Sequence, residues 1–452
     1  MEGGIKMSKY ALTVLSIILL VILVLNKAYA SEAALLKKLV EKGILSQEEA
    51  SQIAQEAKEE AKKEISQQLT AEVKEEIKKE IYQQVANESK EQIKKEVAAT
   101  KFEILPDWVK NTKLKGDFRL RFQNLHEKNT SDINKNTALG RIRLRLGLDS
   151  KVNDKIKVGV GIATGSGDPR STNVSFGATQ SKKGVYLDYA YGKYDPLPWL
   201  SITGGKMLLN DVLWEPTDLI WDTDITPEGA VFGLSKKFDK ASLFMNTGFL
   251  VIESDASTVS GSNGYLVQPG IKYTFNDRVS LKSALTYEYF QTKGTVASSY
   301  SLGQNTKVGT SYADNYSNIN PALELSINKP FEAINLNVEN LKFFSEYVNN
   351  LAVSDKSSGF SLGFQLGKEK LEKWGDWQVR YIYAMLAKDA VLDVLPDSDR
   401  YKGKTGMRSH EGVINFGLGK NTFLGLDVYR SWSLVGNKAP ETLVQADWNM
   451  KF

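Results

Sequence analysis

The sequence predicts an all-β transmembrane barrel of about sixteen antiparallel, up-and-down strands, preceded by a long N-terminal α-helix or coiled coil. Three observations carry this reading. From Leu139 to Leu148 apolar residues alternate with Arg141, Arg143 and Arg145. The stretch before it likewise puts Leu114, Gly116, Phe118, Leu120 and Phe122 on one side and Lys115, Asp117, Arg119, Arg121 and Gln123 on the other. Second, the links between such stretches alternate between short and long. Third, 42% hydrophobic and 25% charged residues with a mean hydropathy of −0.31 exclude a helical membrane protein. A barrel hides in those numbers because its strands are only half apolar. One strand cannot tell a soluble sheet from a barrel wall; the regular alternation of links is what a membrane barrel has and a soluble sandwich has no reason for.

Taken in order, residues 1–30 read as a signal peptide. Lys6 and Lys9 precede an apolar run from Ala11 to Leu25, and Ala28-Tyr29-Ala30 offers the small residues a signal peptidase reads. About fifteen apolar residues fall short of the roughly 20 that a spanning helix needs. The absence of cysteine suits a chain crossing an oxidising compartment. A pI near 8.7 is too mild to suggest nucleic acid.

Residues 31–105 form the predicted periplasmic helical segment. Leu35, Leu36, Leu39 and Val40 give a short amphipathic helix that Gly43 can end in a left-handed cap. Ser46 with Glu49 makes a capping box for a longer helix running to about Thr100. Within it the run from Lys58 to Gln68 returns from Lys74 to Gln84 and starts again at Lys90. Ala61, Ile65, Leu69, Val73, Ile77, Ile81 and Val85 fall four apart, so the stripe winds by about 40° per step and does not suit a left-handed heptad coil. Two readings stay open, an oligomeric coiled coil and a solvated spacer. The first predicts a homotrimer. At roughly 1.5 Å per residue the helix would reach about 80 Å, far enough to meet peptidoglycan or another periplasmic partner, though no recognisable wall-binding domain follows the signal peptide.

Residues 106–452 are the predicted barrel. Pro106 ends the helix and all eight tryptophans lie after it. Strands are expected to begin near Leu114, Leu139, Ile156, Val185, Leu200, Ala230, Ser242, Tyr265, Val279, Asn320, Leu336, Gly359, Trp377, Gly412, Phe423 and Leu443. Long links are expected at 125–137, 165–183, 207–229, 253–264, 291–317, 349–358, 387–411 and 433–442, and short turns between them. Trp199, Trp374, Trp377, Trp432 and Trp448 sit near strand boundaries, as interfacial girdles do. The last strand alternates to a terminal Phe452, which resembles the closing-strand signal of outer-membrane barrels.

The third long link, Met207 to Gly229, is the expected constriction. External loops are polar as a rule, yet this one holds Leu208, Leu209, Val212, Leu213, Trp214, Leu219, Ile220, Trp221 and Ile225, so it should be buried inside the lumen. Its acids Asp211, Glu215, Asp218, Asp222, Asp224 and Glu228 would then face the pore-lining Arg119, Arg121, Arg141, Arg143 and Arg145, setting a transverse field that orients polar solutes. The alternative is a loop that acts as a lid or trimer contact.

Two stretches carry a resemblance. Gly165-Ser166-Gly167-Asp168-Pro169-Arg170-Ser171-Thr172-Asn173 and the run from Asp218 to Gly229 resemble motifs of the bacterial putative-porin family. The resemblance implies an outer-membrane channel through which small hydrophilic solutes and ions diffuse, embedded in outer-membrane lipid, with the helix in the periplasm. It does not specify the solute. A substrate-specific channel, and a tether between outer membrane and cell wall with the barrel as anchor, are the alternatives.

Other chemistry has weak signals. Gly165–Asn173 lacks the Gly-Lys-Ser/Thr ending and following helix of a phosphate loop. His126 and His410, the only histidines, are both expected in external loops, leaving a hydrolase little from which to draw a base. Asp222 and Asp224 could ligate Ca²⁺, but acids in loops are more often only solvated. The reading is therefore a non-enzyme with no cofactor and no metal.

Overall fold

The computed structural model describes residues 34–60, 62–63, 89–90, 106–128, 134–253, 262–301, 304–336, 338–436 and 439–452. The chain divides into two units, Met1–Ile104 and Leu105–Phe452. In the first unit, helix α1 (34–41) ends at Gly43, whose φ of +69° is the expected left-handed cap. Helix α2 (47–60) starts on the expected capping box: Ser46 Oγ accepts the Glu49 N–H at 3.3 Å, and the Glu49 carboxylate accepts the Ser46 N–H at 2.9 Å. Among the described residues these are two short helices and not one long coiled coil. Most of the repeat to Thr100, and the signal peptide expected over 1–30, lie outside the described residues.

The second unit is one closed antiparallel barrel of sixteen strands. They are β1 (Thr112–Lys128), β2 (Asn134–Lys151), β3 (Ile156–Thr164), β4 (Val185–Leu197), β5 (Leu200–Lys206), β6 (Glu228–Lys237), β7 (Ala241–Glu253) and β8 (Ser262–Thr274). Then follow β9 (Val279–Phe290), β10 (Tyr316–Asn328), β11 (Asn340–Asn350), β12 (Ser358–Gly367), β13 (Trp377–Leu386), β14 (Met407–Gly419), β15 (Thr422–Ser433) and β16 (Pro440–Lys451). Each pairs with the next, and β16 closes on β1 with Arg121 opposite Asp447. The terminal residue takes part: Gly116 N–H donates to the Phe452 carbonyl at 2.8 Å, and the Gly116 carbonyl accepts the Phe452 N–H at 2.9 Å. A two-residue strand, Val174–Ser175, pairs with β2 at Arg141 and Ile142.

Three sequence expectations shift. The first long link is short, because β1 and β2 continue as a ladder with His126 opposite Asn136 and Glu127 opposite Lys135. Polar side chains do not end a hairpin whose backbone groups pair with each other. His126 is therefore a strand residue, as is His410 in β14. The strand expected near Leu336 begins at Asn340, because Glu332–Ile334 form a 3₁₀ turn closed by Asn335 at φ +55°.

The faces are inverted relative to a soluble sheet. On the outward face Leu114 is 68% exposed, Leu148 48% and Ile414 52%, whereas the inward Gln268, Asn318 and Glu346 are fully buried. An apolar surface running round a whole barrel is unfavourable in water and is satisfied by lipid. His410 belongs to this outer face: Tyr381 Oη lies 2.7 Å from its Nδ1, and the rings of Tyr383 and Trp432 lie 5.0 and 5.8 Å away. With exposed Trp199, Trp374, Trp377 and Trp448 these rings supply the interfacial aromatics.

Candidate functional site

After β5 the chain turns inward instead of crossing to β6 at the rim. One helical turn, Leu209–Val212, leads a segment whose Met207, Leu209, Val212, Leu213, Leu219, Ile220, Trp221 and Ile225 are all buried. They pack with Leu250, Leu266, Phe290, Phe344, Val348 and Ile382 of the wall. Burying each large apolar side chain contributes roughly 1.5–3 kcal/mol, enough to hold a loop that lacks a ladder of its own. Polar bonds set its position. Trp221 Nε1 donates to Glu288 at 2.7 Å, Trp214 exchanges two bonds with the Gln268 amide at 2.9 and 2.8 Å, and Arg380 donates to the Pro216 carbonyl at 3.2 Å. Thr217 Oγ1 donates to Glu346 and lies 2.9 Å from Ser361 Oγ. The loop thereby covers the inward Gln268, Glu288, Glu346 and Ser361 of β8 to β12.

What stays open lies beside the other wall. Arg119, Arg121 and Arg143 share a cavity of about 340 Å³ with Asp218, Asp222 and Asp224 of the loop. The structure so brings together three of the five expected arginines and three of the six expected acids. Arg145 reaches one of these acids, 3.1 Å from Asp224, while its Nε donates to Asp117 at 2.7 Å. Arg141 stands apart, bonded to Gln123 at 3.1 Å and to the Asn173 carbonyl at 3.2 Å. Asp211 and Glu228 are exposed, Glu228 in an ion pair with Lys206 at 3.1 Å. Glu215 is at the loop's inner side, where burial and the neighbouring charges of Glu346 and Glu288 push its carboxyl well above the usual range.

The two central acids differ. Burial and then the Asp224 charge raise the Asp222 carboxyl well above its ordinary value, although it accepts the N–H groups of Asp224 and Ser398 at 2.9 and 2.8 Å. Burial also disfavours charge on Asp224, but Arg145, Arg143 and Arg119 outweigh it and hold that carboxyl below its ordinary value. Neither acid is merely solvated.

Several participants were missed from the sequence. Asp117 and Asp447, on the wall itself, pair with the arginines: Asp117 with Arg143 at 2.8 Å, Asp447 with Arg121 at 2.7 Å and with Arg119 at 3.4 Å. Both stand on the charged side of their strands, so the alternation already offered them. The second omission is the loop between β13 and β14, which also enters the lumen and brings Asp397, Asp399 and Arg400. Its run Val391-Leu392-Asp393-Val394-Leu395 carries the same signal that singled out 207–229, and Ala390, Val391, Leu392 and Leu395 are buried. Asp218, Asp397 and Glu411 converge closely enough to hold a cation, but the Arg400 guanidinium takes that place, 2.9 Å from Asp218 and 2.6 Å from Glu411.

A family described as "Putative porin" matches residues 30–138, 123–318 and 314–452, which is nearly the whole chain. The chain belongs to this family. A search of curated proteins finds no match. Among solved structures, the outer membrane channel DcaP of Acinetobacter baumannii is similar at 14% identity, with 75% of this chain and 97% of that chain covered and a TM-score of 0.42. A loop-deletion mutant of OmpT, an outer membrane protein of Vibrio cholerae, gives 9%, 75%, 99% and 0.44, and a triple mutant of the Rhodopseudomonas blastica porin gives 10%, 75%, 100% and 0.40. The assignment rests on the family match. In this porin the two motifs that carried the resemblance meet, since Thr172 donates to Asp224 from its N–H at 3.2 Å and from its hydroxyl at 3.0 Å.

Proposed function

We propose that this porin is a weakly selective outer-membrane channel for passive diffusion of small hydrophilic solutes and ions, narrowed by the 207–227 loop to an opening between opposed charges. The observation that carries the reading is the cavity shared by Arg119, Arg121 and Arg143 with Asp218, Asp222 and Asp224. A barrel of about sixteen strands encloses an aqueous lumen, and opposed charges in a narrow low-dielectric opening orient dipolar solutes and penalise apolar ones. The arginines are largely engaged by Asp117, Asp447, Asp399 and Asp224. That leaves a polarised opening rather than a set of free donors shaped to one solute. Single-channel recording of the purified full chain is the test: the reading expects current that rises linearly with salt. A current saturating with one solute would point to a substrate-specific channel, and a closed barrel to a membrane anchor.

The same reading takes the helical segment as periplasmic and as an oligomerisation element supporting a trimer. It is supported by the repeated apolar stripe of the sequence. Deleting residues 49–100 should lower the mass of the detergent-solubilised oligomer or its melting temperature; an unchanged oligomer of unchanged thermal stability would contradict the role.

A further inference from the structure

The motif Gly165–Asn173 brings no acid to the row that faces the arginines, yet its side chains and backbone bond to several other loops. Arg170 is buried, 3% exposed. Its Nη1 donates to the carbonyls of Asp393 at 3.2 Å and Gly403 at 3.3 Å, and its Nη2 donates to the Tyr300 carbonyl at 3.1 Å. Asp168 holds the fork from the other side, with Oδ1 3.2 Å from Nε and Oδ2 3.3 Å from Nη2. One side chain thus joins three loops: 165–184, 291–315 and 387–406. Two glycines make this approach possible. At Gly403, φ +71°, a Cβ would lie 2.7 Å from Arg170 Nη1, and at Gly167, φ +91°, it would lie 2.8 Å from Tyr300 Oη.

The backbone of the same motif reaches the acids. The Arg170 carbonyl accepts the Ser398 hydroxyl at 2.9 Å, and the Ser398 N–H donates to Asp222 at 2.8 Å. Thr172 donates twice to Asp224. We propose that Arg170 is a positioning residue: it clasps the three loops into one frame that fixes Asp222 and Asp224 opposite the arginines, so the ion selectivity of the opening depends on it. This rests on the reading that the opening selects by charge. The glycines of the motif serve loop-to-loop contact, not an anion cradle, and the fork geometry of arginine is required, because an ammonium cannot reach carbonyls on both sides at once.

The experiment separates clasp from charge. Arg170→Lys keeps the positive charge and loses the fork; Thr172→Val carries no charge and frees only Asp224. Full-length variants are recorded in planar bilayers under a KCl gradient, and the loops are probed with trypsin, for which 387–406 offers Lys388, Arg400, Lys402 and Lys404. The proposal expects Arg170→Lys to speed cleavage in that loop about tenfold, since cleavage follows the population of the open loop. It also expects the cation-to-anion permeability ratio of Arg170→Lys to shift by about twofold, with Thr172→Val shifting it the same way. An Arg170→Lys channel with wild-type cleavage and reversal potential overturns the proposal, as does faster cleavage with an unmoved potential. Arg119→Gln with Arg143→Gln is the reference. If that pair moves the potential and the Arg170 and Thr172 variants do not, the clasp alone fails; if none moves it, the charge-selection reading has failed.

Discussion

The two sides of the lumen wall are built on the same alternation and end in opposite environments. From β8 to β12 the inward residues Gln268, Glu288, Asn320, Glu346 and Ser361 are buried to within 1% of their surface under the 207–227 loop, held by hydrogen bonds to it and to each other. On β1, β2, β15 and β16 the inward Arg119, Arg143, Asp427 and Asp447 border the open cavity. Strand parity decides only which face is inward. Whether an inward residue meets water is decided by a loop that crosses from β5 to β13, and a buried polar residue there must be paired because nothing solvates it.

The largest change should come from undoing that difference. Trp221 is 2% exposed, touches Phe290 at 6.1 Å between ring centroids and supplies the N–H to Glu288. Trp221→Ala removes a packing contribution of about 3–5 kcal/mol and leaves a buried carboxylate without its donor. The loop should detach from the sealed wall while the barrel ladder persists, and single-channel conductance should rise by about twofold or more. Unchanged conductance would mean that the loop is held elsewhere and that the two sides are not separated by its docking.

Much of this was legible from two-residue periodicity. All sixteen strands and their direction around the barrel follow from alternation and link length, because lipid outside and water inside impose opposite demands on neighbouring residues. The inward loop was legible from Leu219-Ile220-Trp221, which no external loop could leave in water. Less legible were the pairings across the lumen. That Asp447 would sit opposite Arg121 depends on closure of β16 onto β1, and Arg400 reaches Asp218 over a sequence separation of 182 residues, a contact no local pattern encodes. The 387–406 loop was legible by the same apolar criterion and went unread. Asp211 and Glu228 share the first loop's acidity but flank its ends, where the chain is still at the rim, so counting acids overstated the row.

A smaller effect tests the central claim most directly, because it leaves the apolar packing of the loop alone and removes charge in the open half. Reversal potentials in a salt gradient are to be compared for Arg119→Gln with Arg143→Gln and for Asp222→Asn with Asp224→Asn. The account predicts that the first pair raises cation over anion permeability by about threefold and that the second shifts it the other way, by less, because burial already disfavours charge on Asp222. Wild-type potentials in both variants would contradict it and remove these residues from the path of the ions.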